Sequence, residues 1–201
     1  MTGEQEADIT AAIHKAAAVV IGPGLGQEAG AERLLDLVLQ EAKKLPELPV
    51  VIDADGLNLL AKKRLYSTLG RQYVLTPHLR EMSRLSGKSV QEIADDMTSA
   101  VMGQQAGATI VLKDARTLVS DGDWLYINLS GNSALSTGGS GDVLSGMIGG
   151  LLAQGCTQRT AATLAVYMHG LTADQYCESA PPHCMLARDI LEMIPKIGGN
   201  S

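Results

Sequence analysis

Asp142 follows a short glycine-rich stretch and precedes an apolar pattern, a combination that suits the handling of an anion. Residues 137–141 include three glycines, and Val143, Met147 and Leu151 then recur every four residues, which predicts a helix. Backbone N–H groups converge where such a loop enters a helix, and the helix dipole favours negative charge there. Asp142 is itself an anion. It is therefore either the N-cap of this helix or a chemically active neighbour of the anion site.

Glycines inside the predicted helix help to choose between these two roles. Gly146, Gly149 and Gly150 each cost about 1 kcal/mol relative to alanine. Three of them within five positions predict that the helix packs tightly against another backbone. We therefore favour a loop whose amides are held accurately enough for catalysis.

A second candidate site follows the first predicted strand. Residues 17–21 have the apolar character of a buried strand, residues 22–26 form a glycine-rich turn, and residues 27–44 are strongly helical. Ligands bind at the ends of such strands in open α/β sheets. The alternative is a tight turn whose glycines serve only the backbone geometry.

Polar residues also follow the second predicted strand, residues 48–52. Asp53, Asp55 and Asn58 are well placed there to contact Mg²⁺ or a ligand. Capping of a helix over residues 57–62 by Asp55 is the alternative, and it accounts for only one of the two acids.

Two further predicted strands, residues 73–76 and 109–113, end in a similar way. His78 and Glu81 follow the first, with His78 near a helix N-cap and Glu81 in the first turn, and Lys113 ends the second. Lys113 is placed to lie over nucleotide phosphates. The alternatives are a structural or exposed histidine, a glutamate that serves the helix dipole, and a solvated lysine.

The remaining pattern completes an alternation of strands and helices. We predict helices over residues 2–16, 90–107, 158–178 and 185–197, and a hairpin of residues 117–120 and 124–128 around Asp121-Gly122. His169, in the third of these helices, is expected to be packed or half-exposed and not catalytic. This alternation predicts an α/β fold, and 201 residues suit one domain, residues 1–201.

Composition narrows the class of protein. A net charge of −6 argues against nucleic acids and acidic membrane surfaces as partners. Cys156, Cys177 and Cys184 are odd in number and lack C-x-x-C spacing, which indicates reduced thiols. The polar start is not a signal peptide, and no apolar run approaches the length of a membrane span. We therefore expect a cytoplasmic protein.

The motifs together resemble one enzyme family. The segment G-S-G-D at residues 139–142 resembles the G-[ST]-G-D signature of the ribokinase-like superfamily. The longer run T-G-G-S-G-D-V-L-S-G-M-I-G-G-L-L-A-Q-G is similar to the NAD(P)H-hydrate dehydratase branch. So are V-V-I-G-P-G-L-G, D-A-D-G-L-N and T-P-H-L-R-E-M at residues 19–26, 53–58 and 76–82. The resemblance extends over residues 16–197.

This resemblance implies a fold and a reaction. The fold is a ribokinase-like three-layer α/β/α domain with a mostly parallel central sheet, shortened at its amino terminus relative to the family. The reaction is the ADP- or ATP-dependent dehydration of hydrated NADH or NADPH, with Mg²⁺, by phosphorylation of the ring hydroxyl and elimination of phosphate. Asp142 is implied as the catalytic base toward that hydroxyl, and the loop amides as the anion hole.

The resemblance also assigns the binding residues. The residues implied to contact the hydrated nicotinamide substrate are Gly24, Gly26, Asp53, Asn58, His78 and Asp142. The residues implied to contact the nucleotide are Lys113, Asp114, Ala115, Arg116, Thr117, Asn132, Thr137, Gly138, Gly139, Ser140 and Gly141. Glu81 is implied as the acidic residue linked to Mg²⁺.

Some positions depart from the family pattern. Gly56 replaces an alanine, Leu79-Arg80 replace Pro-Gly, Asp114 replaces a glycine, and residues 131–136 differ from G-N-P-G-M-A. Asp114 would repel phosphates by about 1 kcal/mol at 4 Å in water unless it points outward. Two other functions therefore stay open: a small-molecule kinase of the hydroxymethylpyrimidine or hydroxyethylthiazole type, and a truncated non-catalytic relative that binds nucleotide. The amino-terminal difference also leads us to expect a homo-oligomer, because a sheet that lacks strands exposes unpaired edges.

Overall fold

A computed structural model of the protein describes residues 2–103 and 107–197. The strands are β1 (Val19–Ile21), β2 (Val50–Ile52), β3 (Tyr73–Leu75), β4 (Thr109–Leu112), β5 (Leu118–Ser120) and β6 (Leu125–Ile127). The helices are α1 (Gly3–Lys15), α2 (Ala29–Lys44), α3 (Ala54–Lys63), α4 (Leu79–Ser86), α5 (Val90–Asp95), α6 (Met97–Met102), α7 (Ser140–Ala153), α8 (Gln158–Cys177) and α9 (Ala187–Met193).

The strands form one six-stranded sheet in the order β1-β2-β3-β4-β5-β6. Strands β1 to β4 are parallel, and β5 and β6 continue the sheet as antiparallel strands. The hairpin predicted around Asp121-Gly122 joins these last two strands, with Ser120 opposite Leu125. The carboxyl ends of the four parallel strands therefore lie at one edge of the sheet, where the predicted polar residues are brought together.

The two faces of the sheet are covered by separate sets of helices. Side chains alternate between the faces along a strand, so Ile52 packs into a core with α2 and α3, whereas Val51 packs against α7 and α8. Each apolar side chain fully buried in these cores contributes about 1.5–3 kcal/mol. This arrangement confirms the predicted three-layer α/β/α fold with a mostly parallel sheet.

Two helix predictions were wrong in length. The predicted helix over residues 90–107 is divided into α5 and α6, because Asp96 leaves helical geometry and its carboxylate caps α6 by accepting from the Ser99 amide. Residues 104–106 lie outside the described ranges. The predicted helix over residues 185–197 is shorter, since only Ala187–Met193 is α-helical, with 3₁₀ turns on either side. Within residues 2–103 and 107–197, no helix is both long and apolar enough to span a membrane.

Candidate active site

A cavity of about 800 Å³ lies at the carboxyl edge of the sheet, between the ends of β3 and β4 and the start of α7. Its wall includes nine of the residues that the sequence predicted for ligand binding: His78, Lys113, Asp114, Ala115, Thr117, Asn132, Thr137, Ser140 and Gly141. Eight of these belong to the predicted nucleotide set. The cavity therefore brings together most of the residues predicted for the nucleotide.

The start of α7 has the geometry of an anion site. Gly139 is the N-cap residue with a φ of 86°, a backbone conformation that glycine adopts without strain. The Ser140 amide donates to the Thr137 carbonyl at 3.3 Å. The amides of Gly141 and Asp142 lie in the first helical turn, where the preceding turn offers no carbonyl partner. They are therefore available for an anion, and the helix dipole adds to the attraction.

Asp142 is not the cap of this helix, so that alternative for its role was wrong. It is the third residue of α7, its side chain is exposed, and it is not part of the cavity wall. Within the described part of the chain its carboxylate has no hydrogen bond or ion pair. Asp142 is thus an unpaired carboxylate beside the free amides, and its role as catalytic base stays a prediction.

Asp53 and Lys113 form a partly buried ion pair next to the cavity. Asp53 is 1% exposed, and its Oδ1 lies 2.8 Å from the Lys113 ammonium. The other oxygen, Oδ2, accepts from the Ser145 hydroxyl at 2.5 Å. Lys113 is thus not the solvated cation that its position at a strand end also allowed. Because its oxygens are occupied, a direct contact of Asp53 with substrate would require breaking these bonds.

The glycine turn after β1 is held against the start of α3. Gly22 has a φ of 123°, and a Cβ there would lie 1.8 Å from the Asp53 carbonyl oxygen, so only glycine fits. The Gly26 amide donates to Asp55 Oδ2 at 3.0 Å. Asp53, and not Asp55, is the N-cap of α3. Gly24 is exposed, with open space where a side chain would be. The turn therefore has both a backbone requirement for glycine and an accessible surface for a ligand.

His78 and Glu81 serve the start of α4 together. His78 is the N-cap, and its Nδ1 accepts from the amides of Arg80 and Glu81. Nδ1 is therefore unprotonated, so in the neutral ring the proton is on Nε2. Glu81 is buried, and its Oε2 accepts from the His78 amide at 2.8 Å. Asn58 accepts a hydrogen bond from Arg84 at 2.8 Å. The exposed ring of His78 lies at the cavity wall with its Nε2 3.6 Å from Glu81 Oε1, so a ligand there would meet the ring beside the Glu81 carboxylate.

The candidate ligands for Mg²⁺ do not form a cage. Glu81 uses one carboxylate oxygen in its own helix cap. Among residues 2–103 and 107–197, no three His, Cys, Asp or Glu side chains are grouped to hold a metal ion. Mg²⁺ in nucleotide enzymes usually keeps several waters and uses one or two carboxylates together with substrate phosphates. The described residues therefore fit a metal ion that enters with nucleotide phosphates, and not a site made by protein alone.

The loop after β6 is fixed by residues that sequence reasoning missed. Asp174 accepts from the Gly131 amide at 2.8 Å and from the Asn132 side chain at 3.0 Å. Gly170 lets α8 approach this loop, because a Cβ there would lie 2.1 Å from the Ser130 hydroxyl oxygen. Gly170 and Asp174 are one helical turn apart on α8. That spacing was the available signal, but nothing in the sequence indicated which loop they would meet.

His169 was expected to be packed or half-exposed on α8, and it is buried at the wall of the cavity. It is 7% exposed, and its Nε2 is 3.1 Å from the Ser140 carbonyl oxygen and 3.2 Å from the Ser140 hydroxyl. A carbonyl oxygen only accepts, so Nε2 carries the proton and donates to it. Burial lowers the pKa of His169 to about 4, the bond to Ser140 opposes this shift, and the charge of Lys113 adds to it. The ring is therefore neutral near pH 7.

The lowered pKa of His169 predicts loss of stability in mild acid. Well above pH 6.5 the ring is neutral in both folded and unfolded chains, so it adds no pH dependence to the free energy of unfolding. Between pH 6.5 and pH 4 the unfolded chain binds a proton that the folded chain does not, and folding weakens. We expect about 2 kcal/mol of loss from this group at pH 5, by the relation between pKa shift and free energy.

Urea unfolding at pH 7 and pH 5 measures this loss. The difference between the free energies of unfolding at pH 7 and pH 5 should be about 2 kcal/mol smaller in His169→Asn than in the wild type. The matched control is His183→Asn, because His183 is exposed. Equal pH dependence in the wild type and His169→Asn would contradict a neutral, buried ring.

Comparisons with known proteins identify the family of the chain. The family model described as NAD(P)H-hydrate dehydratase matches residues 1–196. The chain is 44% identical over 167 residues to the ADP-dependent (S)-NAD(P)H-hydrate dehydratase of Neisseria meningitidis serogroup B, covering 80% of this chain and 55% of that protein.

Two solved structures are also similar. One is the ADP/ATP-dependent NAD(P)H-hydrate dehydratase of Bacillus subtilis co-crystallised with ATP and Mg²⁺, with a TM-score of 0.76, 31% identity and coverage of 90% of this chain and 63% of that chain. The other is a ribokinase-like superfamily protein of Enterococcus faecalis, with a TM-score of 0.82, 30% identity and coverage of 96% and 66%. These similarities confirm the predicted ribokinase-like fold.

The chain is shorter than the proteins it matches. It spans 55% of the Neisseria protein and 34–36% of bifunctional repair enzymes that it also matches. The family model nevertheless matches nearly the whole chain, residues 1–196 of 201. The chain therefore belongs to the NAD(P)H-hydrate dehydratase family.

Proposed function

We propose that this chain carries a nucleotide-dependent site that dehydrates hydrated NADH and NADPH back to NADH and NADPH. The observation that carries this proposal is the start of α7, where free first-turn amides lie beside the Lys113 ammonium in the wall of a cavity of about 800 Å³. Membership of the dehydratase family supplies the reaction. ADP or ATP is the donor by analogy with the relatives from Neisseria and Bacillus, whose names give these nucleotides.

The proposed reaction has two stages. The hydroxyl oxygen of the hydrated ring attacks the terminal phosphorus of the nucleotide, its proton passes to Asp142, and the bond from phosphorus to the nucleotide breaks. The new phosphate ester then eliminates phosphate with loss of a ring proton, which restores the dihydropyridine. Amides at the start of α7 stabilise the phosphoryl group, because phosphoryl transfer depends mainly on positioning and electrostatics.

The two ligands have separate places in this proposal. The nucleotide takes the cavity, whose wall includes most of residues 113–117, Asn132 and most of residues 137–141. Asp114 is part of this wall and is exposed, so water weakens the repulsion between its carboxylate and the phosphates. The hydrated ring lies toward the loops that follow β1 and β3, near Gly24 and the exposed ring of His78. The buried carboxylate of Asp53 then acts indirectly. Gly26, Asn58 and Arg116 stay predicted contacts.

Three further properties belong to the proposal. Mg²⁺ would enter with the nucleotide phosphates, with Asp142 and Glu81 as the nearby acidic residues, and it would supply positive charge against the phosphates. A cytoplasmic location is favoured by the odd number of cysteines and their lack of C-x-x-C spacing. A homo-oligomer is favoured because β1 is an edge strand and Val20 on it is 40% exposed.

A recovery assay tests the function. Pure protein is mixed with Mg²⁺, hydrated NADH and either ADP or ATP, and the return of reduced-nicotinamide absorbance is followed. We expect recovery that requires nucleotide and releases one phosphate per NADH. A stable phosphorylated product without recovered NADH would instead indicate a small-molecule kinase. Nucleotide binding without any turnover would indicate a non-catalytic relative.

A further inference from the structure

We infer that Asp53 is a positioning residue, which acts on the reaction by holding the Lys113 ammonium at the start of α7. This inference rests on the proposed function, since it concerns how the same site holds a phosphoryl group. It assigns Asp53 a role other than the substrate contact that the resemblance implies.

The carboxylate of Asp53 joins three elements of the site. Its Oδ1 accepts from the Ala54 amide at the start of α3 and from the Lys113 ammonium after β4, both at 2.8 Å. Its Oδ2 accepts from Ser145 of α7, whose hydroxyl is also 3.1 Å from the Gly141 carbonyl oxygen. With 1% exposure, Asp53 has no open surface toward a ligand. These interactions are all with groups that shape the site.

The Lys113 ammonium is held directly against the first turn of α7. A Cβ built on Gly141 would lie 3.3 Å from Lys113 Nζ and 4.0 Å from Asp53 Oδ2. Lys113 is also part of the cavity wall, with 21% of its side chain exposed. Its charge is therefore added where the helix dipole and the free amides already attract an anion. A lysine side chain is flexible, and Asp53 restricts it to this position.

The backbone around Asp53 is strained, which is typical of functional sites. Ala54 has a φ of 47°, which non-glycine residues adopt rarely. Such a conformation costs about 1–3 kcal/mol and persists where its surroundings enforce it. The Asp53–Ala54 hydrogen bond and the close packing of Gly22 against the Asp53 carbonyl enforce it here. A helix start alone does not require this conformation.

A purely structural ion pair is the competing explanation. Glu41 provides an internal comparison, because it is also buried and paired with a lysine, Lys44, at 2.7 Å. Glu41 and Lys44 both lie on α2, and Glu41 also contacts His14 of α1. None of these three residues is part of the cavity wall. If the Asp53 pair were only structural, neutralising either carboxylate would affect stability and leave turnover unchanged.

A double-mutant cycle on turnover distinguishes the two explanations. The variants are Asp53→Asn, Lys113→Met and the double variant, with Glu41→Gln as the control, in the hydrated NADH recovery assay with ADP. We expect Asp53→Asn to lower kcat at least tenfold while the KM for ADP stays within threefold. The double variant should be no slower than Lys113→Met, because Asp53 acts through Lys113. Glu41→Gln should keep its kcat within twofold.

Several outcomes would overturn the inference. One is a folded Asp53→Asn variant with kcat within threefold of the wild type. Another is a double variant whose loss of kcat equals the product of the losses in the two single variants. If Asp53→Asn does not fold, Ser145→Ala decides, since it removes one bond to Asp53 and keeps the charge. A threefold or larger loss of kcat supports the role, and an unchanged kcat overturns it. A wild type without nucleotide-dependent recovery would overturn the proposed function and this inference together, which separates that failure from the others.

Discussion

Replacing Asp142 by asparagine is expected to lower kcat by about 10³-fold or more while the protein stays folded. Asparagine keeps the size of the side chain but cannot accept the hydroxyl proton, and loss of a positioned acid–base group typically costs 10²–10⁴-fold. The exposed side chain has no partner in the described structure, so the free energy of unfolding should change by less than about 1 kcal/mol. Recovery of NADH from its hydrate measures the first effect, and thermal unfolding measures the second.

A matched control tests whether the loss of activity comes from the missing proton acceptor or only from the missing negative charge at a helix start. Glu4 is also an exposed carboxylate in a first helical turn, that of α1. Glu4→Gln should therefore retain full activity. Activity of Asp142→Asn within threefold of the wild type would remove Asp142 from the role of base, whatever its effect on stability.

The second large effect is expected at Gly170, where alanine should destabilise the protein by about 2–3 kcal/mol. A Cβ there would lie 2.6 Å from the Ser130 carbonyl carbon and 2.7 Å from the Ser130 carbonyl oxygen. Backbone atoms cannot rotate away as a flexible side chain does, so α8 and the loop after β6 must separate. Urea unfolding measures the loss of stability.

Gly150 supplies the control for this substitution. It also lies inside a helix, but nothing lies within 4 Å of the position that a Cβ would occupy there. Gly150→Ala should therefore raise stability by up to about 1 kcal/mol, because alanine favours the helix. If the free energy of unfolding changed in the same direction in both variants, helix propensity, and not the close approach to Ser130, would determine the effect of the substitution at Gly170.

Glycines also show what sequence reasoning can and cannot establish. Gly146, Gly149 and Gly150 of α7 predicted tight packing against another backbone, and that prediction was wrong. A Cβ at Gly149 would lie 2.4 Å from Val20 Cγ2, which is a side-chain atom. Gly146 and Gly150 face open space in the described structure. The sequence shows that the helix contains glycines, but the residue that lies against a glycine and requires its small size is far away in the sequence.

The strand ends were predictable because hydrophobic patterns and their polar successors are local. Val50–Ile52 and the polar residues after it lie adjacent in the chain, and so do Thr109–Leu112 and Lys113. The helix break at Asp96 was missed because apolar periodicity continues across it, while the side chain caps the next helix. Local propensity favoured one helix, and a local cap produced two.

The partners across the site were not predictable from local patterns. Asp53 and Lys113 are 60 residues apart, and His169 is 29 residues from Ser140. The first pair joins the ends of β2 and β4, and the second joins α8 to the start of α7. Spacing in the sequence indicated which residues could do chemistry, whereas the sheet order determined which of them touch.

The central claim is that the start of α7 and Lys113 hold the phosphates of the nucleotide. A crystal structure of this chain with ADP tests it most directly. We predict phosphate oxygens within hydrogen-bond distance of the amides of Gly141 and Asp142 and of the Lys113 ammonium. Well-defined ADP whose phosphates contact neither of these groups would contradict the proposed site.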